Sequence, residues 1–304
     1  MQPRRAGFLF LALGLAACGG QGPAGPSSVQ LTSGGPQSIQ VLSGETGLAV
    51  SGASVAAGGQ RLTTDASGRV SAPTSVALTI EAPGYLRRDT VARPGSAITL
   101  WPVRGNADGG FVEELVYHGL FAPDAALVRP SQPVSIVLSP ALESSAPARA
   151  AFAAATRALS DANGSVVFSV GPGAAVTFTV AVDASDPMLR DNPRLIALTR
   201  VESRGHHVSG GRLVFRTTAL AQNPAVVLHE LGHAFGLGHA FGLGHSSTDG
   251  LMAPQLGGHA DFTPAERLVL RMMAQRAPGN RAPDDDTGVA ASRSGALRIL
   301  VCEG

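Results

Sequence analysis

Residues 229–247 read HELGHAFGLGHAFGLGHSS and bring four histidines and one glutamate together in one short stretch. His229 and His233 are four positions apart, so on a helix both imidazoles lie on one face and can reach one metal ion. Neutral imidazoles are good ligands for Zn²⁺. Glu230 follows the first histidine, and a carboxylate at that position can accept a proton from a water molecule beside the metal. The stretch therefore predicts a zinc site with Glu230 as general base.

Two histidines compete to be the third ligand, because the block AFGLGH occurs twice, at 234–239 and 240–245. Gly236 comes just after the apolar part of the predicted helix, and glycine accepts the left-handed conformation that ends a helix. His239 lies three residues beyond this turn. His245 would need an outward loop or a helix that continues through Gly236, where glycine costs up to about 1 kcal/mol relative to alanine. We predict His239 as the third ligand, with His245 as the alternative.

The string HELGHAFGLGH has the full pattern His-Glu-x-x-His-x-x-Gly-x-x-His. It resembles the metzincin zinc endopeptidases, and HELGHAFGLGHSS is most similar to their matrixin branch. The following LMAP, which contains Met252, resembles the Met-turn that lies beneath the zinc in that family. The stretch FTPAERLVLRMM fits the helix that closes such domains, and its residues 263–266 form a capping box with proline at the first helical position. The resemblance implies an α+β catalytic domain, a Zn²⁺ cofactor and a protein or peptide substrate.

The first twenty residues, MQPRRAGFLFLALGLAACGG, predict a targeting signal. Two arginines precede an apolar run that is shorter than the roughly 20 residues needed to span a bilayer. The segment ends in LAAC, which resembles the lipobox of bacterial lipoproteins, in which the cysteine (here Cys18) carries the lipid. This resemblance implies a signal peptide over 1–17, a flexible tether over 18–37, and a lipid anchor that holds the protein to a membrane of the bacterial cell envelope, on its periplasmic or cell-surface side. An ordinary secretory signal cut after residue 17 is the alternative.

Residues 38–103 alternate short β-like runs with turn signals, which predicts a small all-β sandwich. TDASG at 64–68 and APGY at 82–85 resemble the carboxypeptidase-regulatory-like domain, which implies a spacer or weak binding module without catalysis. Residues 104–280 then change to a mixed pattern, which predicts a single α+β domain of metzincin type, and 281–304 form a C-terminal tail. The predicted elements of the α+β domain are strands at 134–138, 166–170, 175–182, 195–201 and 213–217, a helix at 146–159, and the motif helix that starts at Asn223-Pro224.

The formal net charge of +1 gives no electrostatic footprint for nucleic acid. We expect no nucleic-acid partner, and a monomer. Asp284, Asp285 and Asp286 form a charge run, which we interpret as a solvated loop, with calcium binding as the lesser alternative. If Cys18 carries a lipid, Cys302 has no cysteine partner within the chain. We interpret it as a buried or fraying thiol, with a zinc-blocking role as the lesser alternative.

The motif favours a zinc endopeptidase, and two other functions stay open. One is a non-catalytic cell-surface binding or adhesion lipoprotein on a protease-like fold. The retained Glu230 argues against this, whereas the duplicated block argues mildly for tolerance of damage at the site. The other is a peptidoglycan or small-peptide hydrolase, which would use the same zinc chemistry in a different cleft.

Overall fold

The computed structural model of the protein describes residues 34–91, 95–102, 112, 115–116, 126–237, 249–253, 258–287 and 297–303. The predicted signal peptide, Cys18, and both candidates for the third ligand, His239 and His245, lie outside these residues. Residues Ser33–Gly304 form one compact unit. Among the described residues, no helix has the length and apolar character that crossing a bilayer requires.

Short strands in the N-terminal part form two sheets that share a core. One sheet has the order β4-β1-β7 and the other β3-β2-β5-β6. Alternate residues along these strands point into the core, as Val55, Leu78 and Ile80 do, because side chains alternate between the two faces of a strand. The strands are β1 (Gly34–Ser43), β2 (Ser54–Ala57), β3 (Gln60–Thr63), β4 (Arg69–Thr74), β5 (Ala77–Glu81), β6 (Arg88–Val91) and β7 (Ala97–Leu100).

The C-terminal part combines a six-stranded sheet with helices. Its strands are β8 (Val134–Leu138), β9 (Phe168–Val170), β10 (Val176–Val182), β11 (Ala197–Arg204), β12 (His207–Phe215) and β13 (Leu297–Glu303), in the order β13-β11-β12-β10-β8-β9. Strands β9, β8, β10 and β12 run parallel to one another, whereas β11 is antiparallel to both β12 and β13. The helices are α1 (Pro140–Glu143), α2 (Ala146–Asn163), α3 (Pro187–Asp191), α4 (Thr218–Ala221), α5 (Pro224–Phe235) and α6 (Pro264–Ala274).

Helix α2 packs against α5, α6 and β9, and α5 packs against β11, so α2 and α5 cover one face of this sheet. Helix α2 begins after the Ser145 cap and ends at Gly164, whose φ of 69° is left-handed. Phe152 on α2 meets Phe215 of β12 edge to face, with ring centroids 5.9 Å apart. A smaller cluster on the opposite face includes Leu198 and Val214, which alternate along their strands with residues of the main core.

The structure has the mixed helix-and-sheet character expected of an α+β protein. The predicted elements reappear with shifts of a few residues at their ends, and the strand predicted at 213–217 is the end of the longer β12. Two strands were not predicted. Strand β6 lies between two turn signals, and β13 lies in the stretch that we interpreted as a tail.

The run Asp284 to Asp286 is not a solvated loop, so that interpretation was wrong. The Asp284 side chain is fully buried and makes two 2.7 Å contacts with the Arg276 guanidinium. Asp286 accepts a 2.7 Å hydrogen bond from Arg88 of β6. Arg276 also donates to the hydroxyl and the carbonyl of Thr99 on β7, at 2.7 and 2.8 Å. Asp284 and Asp286 therefore neutralise buried arginines where the segment after α6 contacts the N-terminal sheets.

Candidate metal centre and general base

Helix α5 carries the paired histidines in a fully buried environment. It begins where the Asn223 side chain accepts the Ala225 N–H at 3.0 Å, and it ends at Gly236, with φ of 124°. Both features were predicted from the sequence. One helical turn separates His229 from His233, and their Nε2 atoms are 3.1 Å apart.

Two backbone carbonyls fix the protonation of these imidazoles. The Nδ1 atom of His229 lies 2.6 Å from the carbonyl oxygen of Leu251, and Nδ1 of His233 lies 2.8 Å from that of Leu237. Because a carbonyl oxygen only accepts, each Nδ1 must carry the proton and donate. Burial lowers the pKa of His229, which favours the neutral ring. A neutral ring protonated at Nδ1 has its lone pair on Nε2, the atom that would face a metal.

This geometry fits a zinc ion. Two lone pairs that face each other across 3.1 Å repel unless a proton or a metal ion lies between them. Tetrahedral zinc, with Zn–N distances of about 2.0–2.1 Å, holds two ligand nitrogens about 3.3 Å apart. Within the described residues, the pair is not part of a group of three or more His, Cys, Asp or Glu side chains arranged to hold a metal. The third ligand therefore remains a prediction.

The loop 249–253 lies against the middle of α5. A Cβ atom added to Gly232 would lie 2.6 Å from Sδ of Met252, so this methionine packs on the helix between the two histidines. The Glu266 carboxylate accepts the backbone N–H of Met252 at 2.7 Å and that of Leu251 at 3.3 Å. The Leu251 carbonyl in turn accepts a hydrogen bond from Nδ1 of His229. The loop is thus positioned by α6 and itself orients one imidazole.

Glu266 completes the predicted capping box and also does more than capping. Its side chain accepts the Thr263 N–H at 2.7 Å, while the Thr263 hydroxyl accepts the Glu266 N–H at 3.2 Å. The sequence indicated this reciprocal pair. It did not indicate that the same carboxylate holds the loop at Met252, because that contact joins segments that are distant along the chain.

Glu230, which follows His229 in the sequence, is fully buried, and one of its carboxylate oxygens is held by β11. The Thr199 hydroxyl donates to Oε2 of Glu230 at 2.5 Å and also lies 3.1 Å from the Glu230 carbonyl oxygen. Oε1 has no hydrogen bond within the described residues. Burial raises the pKa of Glu230 to about 8, against the opposing effect of the Thr199 hydrogen bond. A carboxylate in such a place is stabilised in its ionised form by a nearby cation. Sequence reasoning missed Thr199, which lies in an unremarkable predicted strand.

The end of α5 bears on the choice of third ligand. The chain turns back at Gly236, and the Leu237 N–H donates to the Gly232 carbonyl at 3.1 Å. Because the Leu237 carbonyl also accepts from His233, this residue is tied to the histidine pair. His239 follows Leu237 by two residues, a span of at most about 7 Å, whereas His245 follows it by eight. The helix does not continue through Gly236, as one form of the His245 arrangement would require.

No model of a known protein family matches this chain, and no curated protein matches it.

Proposed function

We propose that the protein is a zinc-dependent endopeptidase of metzincin type. The observation that carries the proposal is the buried pair His229 and His233, whose Nδ1 atoms both donate to carbonyl oxygens and whose Nε2 atoms are 3.1 Å apart, on the same helix as the buried Glu230. A structural histidine pair has no need of this arrangement. A metal site does, because it requires two unprotonated nitrogens aimed at one point.

The surrounding fold supports the same class. The motif helix is followed by the loop that carries Met252 and then by the capped helix α6, which is the order that the resemblance implies. The proposal extends to the N-terminus, where Cys18 would carry a lipid and hold the protein to the bacterial cell envelope. Residues 38–103 would serve as the accessory β-sandwich module.

The proposal assigns a role in metal binding or proton transfer to each residue of the site. His229, His233 and His239 would hold Zn²⁺, with His245 as the alternative to His239. A zinc ion bound there supplies a Lewis acid that polarises the scissile carbonyl and acidifies a neighbouring water molecule. Glu230 takes the proton of the attacking water and returns it to the leaving amine. Thr199 holds one oxygen of Glu230, so that the other is free to face the water.

Metal content and hydrolysis together test this assignment. Glu230→Gln should keep the zinc content of the wild type and lose at least about a hundredfold of zinc-dependent cleavage of quenched fluorescent peptides, because the glutamate is a base and not a ligand. His233→Ala should lose the metal. Glu143→Gln, at an exposed position on α1, is the matched control and should change neither. Equal metal loss in the Glu230 and His233 variants would contradict the assigned roles. Bound zinc without any cleavage would favour the non-catalytic surface protein.

The third ligand is tested separately by zinc affinity in His239→Ala beside His245→Ala. We expect the first to lose zinc and the second to keep it, because His239 is only two residues from Leu237, which is tied to the site. Loss confined to the His245 variant would reverse the assignment. Retention in both single variants, with loss in the double variant, would mean that the repeat supplies a spare ligand.

A further inference from the structure

Strand β13 occupies the outer edge of the sheet beside the candidate site. It pairs antiparallel with β11 along seven positions, from Leu198 opposite Glu303 to Arg204 opposite Leu297. The residue paired with Thr199 is Cys302. Thr199 is also the residue whose hydroxyl holds Glu230. The tail is therefore paired with the very part of β11 that contacts the proposed general base.

Without β13, strand β11 would be the edge strand of this sheet. An open edge presents a row of backbone N–H and C=O groups, and an extended peptide can add to it as a further strand. Such a peptide would run beside Thr199 and Glu230, where an endopeptidase needs its substrate backbone. Strand β13 already uses this edge.

The segment that leads to β13 starts from a fixed point. Asp284 is bound by Arg276, and the backbone N–H of Asp286 donates to the Asp89 carbonyl at 2.7 Å. Nine residues, 288–296, connect this anchored segment to β13. A segment joined by so short a connection has an effective concentration on the order of 1 mM at its own site. A strand at the edge of a sheet is also among the parts of a fold that open at low free-energy cost.

We propose that β13 is an autoinhibitory strand, which fills the peptide-binding edge of β11 and must leave before an extended substrate can pair there. The hydrolysis that it would suppress rests on the proposed function, whereas its occupancy of the edge does not. The size of the effect follows from competition. If the free β13 peptide binds with a Kd of about 0.1 mM, an effective concentration of about 1 mM weakens the binding of a competing peptide at this edge about tenfold.

Binding is the first test, and it needs no catalysis. A labelled LRILVCE peptide, the sequence of 297–303, is titrated by fluorescence anisotropy against a Glu230→Gln chain with 297–304 removed, and against the intact Glu230→Gln chain. We expect binding to the shortened chain and at least tenfold weaker binding to the intact one. The same peptide with Leu300→Pro and Val301→Pro should not bind, because adjacent prolines remove backbone donors of both orientations. A Cys302→Ser peptide should bind as well as the original.

Two results would overturn the proposal at this stage. Equal binding of the labelled peptide to the shortened and intact chains would mean that β13 does not cover the edge. Loss of binding with the Cys302→Ser peptide would mean that the thiol, and not strand pairing, holds the segment. Amide hydrogen exchange gives a check on folding. Removal of 297–304 should speed exchange in β11 and leave α2 unchanged, and added peptide should restore the protection.

Activity is the second test. The shortened chain, and the intact chain with Leu300→Pro and Val301→Pro, should both cleave an extended peptide with kcat/KM about tenfold above wild type. In the opposite direction, Glu202→Cys with Ile299→Cys pairs two residues that face each other in the register, close enough for a disulfide across the strands. In a Cys302→Ser background, oxidation should abolish cleavage and reduction should restore it.

These results separate the two proposals. If the peptide binds only the shortened chain but no form of the protein cleaves, the endopeptidase proposal fails and the occupied edge stands. If all forms cleave equally and the oxidised cross-link has no effect, the inhibitory role of β13 fails and the endopeptidase proposal stands.

Discussion

Thr199→Val tests whether β11 positions the proposed general base. The valine keeps the shape of the threonine and removes the hydroxyl that donates to Oε2 of Glu230 at 2.5 Å. Hydrogen bonds to charged groups contribute about 1.5–3 kcal/mol. If that whole contribution is absent in the transition state, kcat falls roughly tenfold to a hundredfold. The effect should appear in kcat and leave KM nearly unchanged, because Thr199 acts on the glutamate and not on remote parts of the substrate.

The comparison variants decide whether the hydroxyl itself is responsible. Thr199→Ser keeps a donor and should retain most of the activity, whereas Thr179→Val, on the exposed face of β10, should change nothing. The assay is steady-state cleavage of a quenched peptide by the chain without 297–304, with zinc content measured on the same samples. Full activity in Thr199→Val would refute the positioning role. So would a Thr199→Ser variant that is as impaired as the valine variant.

Three further changes have defined outcomes. Gly232→Ala should lower the free energy of unfolding in urea by about 1 kcal/mol or more, because overpacking against Met252 outweighs the helix preference of alanine. The same change made in a Met252→Ala chain should cost less, because the side chain that the new methyl group would overlap is gone. Arg276→Ala should cost about 3–5 kcal/mol in the same measurement, since it leaves the Asp284 charge buried without its partner, and the double change Arg276→Met with Asp284→Leu should cost less than the single one. Cys18→Ser should move the protein from the membrane fraction to the soluble fraction; unchanged fractionation would contradict the lipid anchor.

The elements that carry the site could be predicted because their signals are local. Asn223 and Pro224 begin α5, Gly236 ends it, and the capping box that starts α6 spans four consecutive residues. Each signal reflects the free backbone groups at a helix end, which nearby side chains satisfy. The spacing of His229 and His233 is local in the same sense.

The contacts that position the side chains of the site could not be predicted, because they do not depend on which residue types are present. The acceptors for the two imidazoles are backbone carbonyls of leucines, and any residue could supply them. Thr199 differs from other strand threonines only by its partner, Glu230, thirty-one positions away. The pairing of β13 with β11 spans about a hundred residues, and no pattern within either strand specifies it.

The burial of the run Asp284 to Asp286 could not be predicted either, because it depends on distant partners. Consecutive acidic residues are usually exposed, since burying a charge is costly without a partner. Here the partners are Arg276, eight positions before Asp284, and Arg88, which is far away in the N-terminal sheets. Local composition predicted exposure, and tertiary pairing overrode it.

A short chain of contacts connects the N-terminal sheets to the candidate metal site. Thr99 on β7 accepts from Arg276, which lies just after the end of α6. The other end of α6 carries Glu266, which holds the backbone of Leu251, and the Leu251 carbonyl holds the His229 ring. A spacer would need no buried ion pair, such as that of Arg88 with Asp286, with the part of the chain that it displays. Separating the two parts would break the ion pair of Arg88 with Asp286 and the bonds from Arg276 to Thr99, which would be costly. The β-sandwich is therefore better understood as a part of the scaffold that holds α6, and through α6 the first imidazole, in position.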